Sequence, residues 1–196
     1  MTTIVVVRKG DQVVIAADSQ STFGDTRISA GFDAAWNKIF RKGDNYLAIS
    51  GSAAHDLVLQ QALGKEKRLR LHSRAAIFET FRKLHPRLKE EFFLNPKEEE
   101  DDPYESNHMS MLIANPHGIF GVYSMREVYE YTRFWAIGSG REFALGAMHT
   151  VYDQLNDAAA IARIGVEAGC TFDVGSSLPE TQYVVTLSAT AGNEED

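Results

Sequence analysis

Cysteine is almost missing from this chain: Cys170 is the only one in 196 residues. A single thiol cannot close an intrachain disulfide or build a cysteine metal cluster. The six histidines, His55, His72, His85, His108, His117 and His149, include no pair at metal-ligand spacing on one helix. Neither a metal nor another cofactor is expected from this pattern. Basic charge is short as well: 20 Lys and Arg stand against 27 Asp and Glu, a net charge of −7. Nucleic acids and anionic membranes select basic patches, so neither is expected as a partner. The one dense basic run, residues 65–70, has the size of a solvated helix face. No apolar run approaches a membrane span, and the start lacks the basic and apolar regions of a signal peptide. These absences point to a cytoplasmic protein.

Repeats and domain linkers are absent too. With 44% hydrophobic and 24% charged residues, the chain is expected to fold as one domain over 1–196, with a loose acidic tail at about 189–196. Gly138-Ser139-Gly140 has no third glycine at dinucleotide spacing and no lysine after it, which excludes both nucleotide-loop readings. The acidic run at 97–102 lacks the Asp and Gly spacing of a calcium loop and reads as a solvated loop.

What is present is a succession of short β-branched runs. Residues 3–8 and 12–17 flank Lys9-Gly10-Asp11 and predict a hairpin. After a small and polar loop over 24–35, residues 36–40 and 46–50 predict a second hairpin, with Trp36, Lys38 and Phe40 on one face. A helix follows to about Leu63. Another starts at the N-cap Ser73, with Ile77, Phe81, Leu84 and Leu88 along one stripe and Pro86 as a kink or interruption. Strands at 110–114 and 119–123 turn at Asn115-Pro116-His117-Gly118, and a shorter pair occupies 128–131 and 134–137. Two helices, 141 to about 155 and 158 to about 169, precede a last strand at 183–187. Strands grouped apart from helices make an α+β fold. A helical pair on each of two sheets gives a four-layer αββα sandwich, though simpler two-layer packings also satisfy the pattern.

Several polar residues sit where chemistry is possible. Thr2 opens the first strand. If Met1 is removed it carries a hydroxyl and a free α-amine together, a nucleophile and a base in one residue; otherwise it is a plain strand former. Asp18 ends an apolar strand, either as a surface turn residue or as a charge held at a buried site. Lys38 stands between aromatics, where a lysine snorkels to solvent or is partly desolvated. Gly51-Ser52 joins a strand to a helix and exposes backbone N–H groups suited to an anion, or is a simple turn.

Taken in order, Thr2-Thr3-Ile4-Val5, Val14-Ile15-Ala16-Ala17-Asp18, Lys38, Ser50-Gly51-Ser52-Ala53-Ala54 and Ile137-Gly138-Ser139-Gly140 resemble the proteasome β-type subunits in order and spacing. The chain is most similar to their bacterial relatives, the heat-shock ring peptidase and the beta-proteobacterial proteasome homologue. The match covers nearly the whole chain. Its specificity lies in five motifs in register rather than in any one.

The resemblance implies the αββα fold of N-terminal nucleophile hydrolases and a self-compartmentalising threonine peptidase, with homo-oligomeric stacked rings enclosing the sites. Peptides or unfolded proteins would be the substrates, and an ATP-dependent unfoldase is a candidate partner. Thr2 would be the nucleophile, Asp18 and Lys38 the family's aspartate and lysine, Gly51 its oxyanion glycine and Ser139 the serine beside the terminal amine. The chain departs from the family pattern in two places. The stretch around Ser29 to Ala35 is longer than in the heat-shock peptidase. Thr171 falls where many members have an aspartate supporting the amine, while Asp173 and Ser176 fit the Asp-x-x-Ser spacing, so Asp173 is carried as the supporter. Ile49, Ala53 and Trp36 imply an apolar specificity pocket. Two alternatives stand beside the peptidase: a small-molecule amidohydrolase of the same nucleophile class, and a non-catalytic or unprocessed ring scaffold.

Overall fold

A computed structural model describes residues 1–66, 68–94, 109–124 and 127–188. Strands β1 (Ile4–Lys9) and β2 (Gln12–Ala17) form the expected hairpin about Gly10, whose φ of +60° a side chain rarely adopts. A small hairpin of β3 (Ser21–Phe23) and β4 (Thr26–Ile28) follows, and then one 3-10 turn. β4 and the 3-10 turn fall inside the 24–35 stretch that its small and polar composition marks as loop.

The next strands are β5 (Ile39–Lys42) and β6 (Asn45–Ser50). Pairing begins three residues later than the 36–40 run suggests. Asn37 Oδ1 accepts the Ile39 N–H at 3.0 Å, a side-chain turn that starts the strand there. Trp36 and Lys38 therefore precede the sheet instead of sharing a strand face with Phe40.

Helices α1 (Ala53–Gly64) and α2 (Arg74–Glu90) come next, capped by the hydroxyls of Ser52 and Ser73. α2 runs through Pro86 unbroken. Ile77, Phe81, Leu84 and Leu88 are buried along its length and seat it on both sides of the proline. Strands β7 (Ser110–Asn115) and β8 (Gly118–Tyr123) extend the sheet of β5 and β6. The shorter strands β9 (Glu127–Tyr131) and β10 (Phe134–Ile137) do not pair with each other. β9 closes the five-stranded sheet β5-β6-β7-β8-β9, while β10 crosses over to pair with β1 in the four-stranded sheet β10-β1-β2-β11. Helices α3 (Arg141–Val151) and α4 (Ala158–Phe172) lead to β11 (Thr181–Thr186), which pairs with β2. The expected loop at 97–102 and tail at 189–196 lie outside the described residues.

The buried residues separate into three layers, and these define the sandwich. Ile4, Val6, Ile15, Leu112 and Ile119 fill the space between the two sheets. Val5, Val7, Val14, Met148, Ile161 and Val166 join the four-stranded sheet to α3 and α4. Leu47, Leu59, Phe81, Leu88 and Phe120 join the five-stranded sheet to α1 and α2. Both faces of β1 are thus covered, which is why it reads as an unbroken apolar run rather than an alternating one. The order α, β, β, α is the four-layer architecture expected from the sequence.

Candidate active site

β1 is buried over Ile4–Val7 and β2 over Val13–Ala17, and the site grows from their adjoining buried ends. The Asp18 N–H donates to the Thr3 carbonyl at 3.1 Å, so the ladder continues one step beyond β2 and fixes Asp18 beside the chain start. Asp18 is not a surface turn residue; only 1% of it is exposed. Burying a carboxylate is tolerable only where donors replace its water. Oδ1 accepts from Thr3 N (2.9 Å), Thr2 Oγ1 (2.7 Å) and Lys38 Nζ (2.7 Å). Oδ2 accepts from the backbone N–H groups of Gln20 (3.0 Å) and Ser177 (3.1 Å).

Lys38 Nζ also donates to Thr2 Oγ1 at 2.7 Å. Hydroxyl, amine and carboxylate therefore form a closed triangle. The Lys38 side chain keeps 16% of its exposure, and Asp18 Oδ1 is its ion-pair partner. Burial pulls the Lys38 ammonium below the ordinary lysine range, and Asp18 opposes that shift without cancelling it.

A second polar group holds the backbone of Thr2. Thr2 N donates to Ser139 Oγ at 3.0 Å, and the Gly140 N–H donates to the Thr2 carbonyl at 3.2 Å. Ser139 Oγ in turn donates to Asp173 Oδ2 at 2.7 Å. The same Asp173 oxygen accepts from Ser176 Oγ at 2.7 Å, and Ser176 Oγ lies 2.7 Å from Thr3 Oγ1. Partial burial raises the Asp173 carboxyl, but hydrogen bonds from Ser176, Ser139 and Gly175 outweigh it, and Asp173 ends below the usual carboxylate range. Thr171 takes no part: its hydroxyl donates to the Glu167 carbonyl within α4. Gly138, at a φ of +95°, lets the chain pass against Thr2, since a Cβ there would collide with the Thr2 carbonyl oxygen.

Thr2, Lys38 and Gly51 share a cavity of about 320 Å³. Trp36, Ile49 and Ala53 line it as the sequence implies, but Asp56 lines it too, so its wall is not purely apolar. Cys170 lies close enough to feel Asp18 and Lys38. Burial and the Asp18 charge push its thiol up to about 12, so it stays protonated and is no nucleophile. Five of the six residues marked in sequence, Thr2, Asp18, Lys38, Ser139 and Asp173, are linked by hydrogen bonds, and Gly51 joins them as a cavity wall. Sequence reading does not single out Thr3, Gln20, Ser177 or Asp56. The one local signal is the polar run after each buried segment, Ser19-Gln20 after β2 and Ser176-Ser177 after α4.

The chain is similar to known proteins along most of its length. The chain is 30% identical over 199 residues to the proteasome subunit beta of Nanoarchaeum equitans, covering 95% of this chain and 93% of the relative. It is 30% identical over 165 residues to the ATP-dependent protease subunit HslV of Bartonella quintana, covering 83% and 77%. The chain belongs to the proteasome β-type family. BPH of Thiobacillus denitrificans superposes on this proteasome-type fold with a TM-score of 0.88 at 43% identity, over 95% of this chain and 98% of that one. Its structure in complex with epoxomicin superposes with the same score at 41% identity, over 95% and 100%. HslV from Trypanosoma brucei shares the fold, with a TM-score of 0.71 at 24% identity over 94% and 99%. No protein-family model matches the chain. As a proteasome-type hydrolase, the protein is a threonine endopeptidase. Members of the family form stacked oligomeric rings. No helix among the described residues is long and apolar enough to cross a membrane.

Proposed function

We propose that Thr2 is the nucleophile of this peptidase once the Met1–Thr2 bond is cut, and that Lys38, Asp18, Ser139, Asp173 and Gly51 serve it. The observation that carries this is the triangle of 2.7 Å contacts among Thr2 Oγ1, Lys38 Nζ and Asp18 Oδ1. A threonine hydroxyl is a weak nucleophile unless a base takes its proton. Lys38 is already in contact, and its lowered pKa supplies neutral amine more readily than an ordinary lysine does. Asp18 orients Lys38 and holds the hydroxyl in place.

Cutting Met1 turns the Thr2 peptide nitrogen into an α-amine with an unperturbed pKa of about 7.7–8.0. It stays beside Ser139, which Asp173 orients. In the reaction, Thr2 Oγ bonds to the substrate carbonyl carbon as its proton passes to Lys38. The Gly51 N–H donates to the developing oxyanion, a contribution of about 3–4 kcal/mol in comparable sites. The C–N bond then breaks and the departing amine takes a proton from the base pair Lys38 and α-amine. Water attacks the resulting ester and restores the hydroxyl.

This reading includes one peptidase domain over 1–196, assembly of the chain into homo-oligomeric stacked rings, and peptides or unfolded chains as substrates. It places the protein in the cytoplasm. The ATP-dependent relative supports an unfoldase partner that feeds the chamber. The test combines intact mass, native mass spectrometry and peptide turnover on protein from its own host. Active protein should lack Met1 and run as a ring, and Thr2→Ala should abolish cleavage. Normal cleavage by Thr2→Ala, or by molecules that retain Met1, would overturn it.

A further inference from the structure

Thr3 joins the two polar groups of the site, one through its backbone and the other through its side chain. Its N–H donates to Asp18 Oδ1 at 2.9 Å, and its carbonyl accepts the Asp18 N–H at 3.1 Å. The side chain points the other way. Alternate residues of an extended chain face opposite layers. Ile4 and Val6 meet the second sheet, while Val5 and Val7 meet α3 and α4. Thr3 continues the face of Val5 and Val7, and both helices close on it. A Cβ on Gly140, the N-cap of α3, or on Gly169, in α4, would collide with Thr3 Oγ1. Thr3 is completely buried there. Valine has the same shape and would fill this space with methyl groups alone. A buried hydroxyl loses its water and is tolerable only where it makes a hydrogen bond.

The partner of that hydroxyl is Ser176 Oγ, 2.7 Å away and also buried. The direction of the bond follows from the next link. Ser176 Oγ lies 2.7 Å from Asp173 Oδ2, and an ionised carboxylate only accepts. A hydroxyl has a single hydrogen, and Ser176 gives its own to Asp173. Thr3 is therefore the donor to Ser176. Ser139 Oγ also gives its hydrogen to Asp173 Oδ2, at 2.7 Å, in preference to the Thr2 carbonyl at 3.4 Å. Ser139 then meets the Thr2 nitrogen only as an acceptor. The buried end of this set is Thr3 and Ser176, whereas Asp173 is half-buried and Ser139 exposed. Groups open to solvent keep one rotamer only when hydrogen bonds from a packed interior lock them.

We propose that Thr3 is a positioning residue of this peptidase: its buried hydroxyl donates to Ser176 and thereby fixes Asp173 and Ser139 against the terminal amine of Thr2. The proposal rests on Thr2 as the nucleophile. The Thr3 side chain acts only through Ser176.

The test uses assembled, Met1-free protein, checked by intact mass and native mass spectrometry. It compares Thr3→Val, Thr3→Ser, Ser176→Ala and the double variant of Thr3→Val with Ser176→Ala. Thr3→Val keeps the shape and removes the donor. It should lower kcat by about threefold to tenfold, the scale of one hydrogen bond, with KM nearly unchanged. Thr3→Ser keeps the donor and should recover most of that loss. In the Ser176→Ala background, Thr3→Val should cost nothing further, because the link it acts through is gone. Thr3→Val with wild-type kcat overturns the proposal. So does Thr3→Ser as slow as Thr3→Val, or losses that multiply in the double variant. Those outcomes leave Thr2 as the nucleophile, whereas normal cleavage by Thr2→Ala overturns both readings.

Discussion

Gly138→Ala isolates how closely the chain must approach Thr2. Gly138 sits between β10 and α3 at a φ of +95°. An added Cβ would overlap the Thr2 carbonyl oxygen and lie 2.7 Å from Thr2 Cγ2 and 2.8 Å from its carbonyl carbon. Two terms add. Holding a side chain in this sparsely populated backbone region costs about 1–3 kcal/mol. Overpacking against the Thr2 backbone costs about 1–3 kcal/mol more. The sum of about 2–6 kcal/mol is for the most part smaller than the about 5–15 kcal/mol of stability typical of a domain, so much of the variant should still fold.

All three colliding atoms belong to Thr2 and two of them are backbone, so relief displaces Thr2 relative to Gly138. A shift of about 1 Å at a reacting group costs about a hundredfold in rate. The triangle of 2.7 Å contacts has no slack to absorb it. The control is Gly10→Ala, in the β1–β2 turn at a φ of +60° with nothing within 4 Å of the added carbon. It carries backbone strain of about 1–2 kcal/mol and should leave turnover near wild type. Urea unfolding midpoints and peptide kcat/KM on both variants separate the terms. Gly138→Ala with turnover within about threefold of wild type would refute the reasoning, since a 1 Å shift predicts far more. So would an equal loss of turnover in Gly10→Ala.

Three further outcomes follow from the same geometry. Lys38 loses its proton more readily in the folded protein than in the unfolded chain, so the folded state binds fewer protons between the two pKa values. Its contribution to stability therefore grows as pH rises through that window toward about 10.4, and urea melts of wild type against Lys38→Met across this range should show the increment disappear. Asp173 is shifted downward as well, and for a carboxyl that favours the charged form: its contribution is complete above about 3.9 and is lost as pH falls through the lower folded value. Asp173→Asn should remove that acid limb from the melts. It should also lower kcat more than KM, because a neutral amide replaces the charged carboxylate that orients Ser139, and an unchanged kcat would rule out that positioning role. Phe81→Ala empties a fully buried site between α2 and the five-stranded sheet, and should cost about 3–5 kcal/mol in unfolding free energy.

Local patterns in the chain were enough for most strands and helices: the Lys9-Gly10-Asp11 turn and the spacing of Ile77, Phe81, Leu84 and Leu88 could be read from neighbouring residues, because propensity and periodicity act over a few positions. Thr2, Asp18, Lys38, Gly51 and Ser139 each allowed a plain structural reading alone and were marked by resemblance to the proteasome β-type pattern. Where local signals compete, the reading failed. The Asn37 turn delayed β5, and β9 and β10, only a few residues apart, went to different sheets.

Only the tertiary structure decided the state of the charges. Thr2 draws its partners from positions 16, 36 and 137 residues away. The burial of Asp18, the weakened hold of Lys38 on its proton and the exposure of Asp56 to the Thr2 cavity all depend on what distant segments place around them. Desolvation and hydrogen bonding belong to a folded environment, and residue order specifies that environment only through the completed fold.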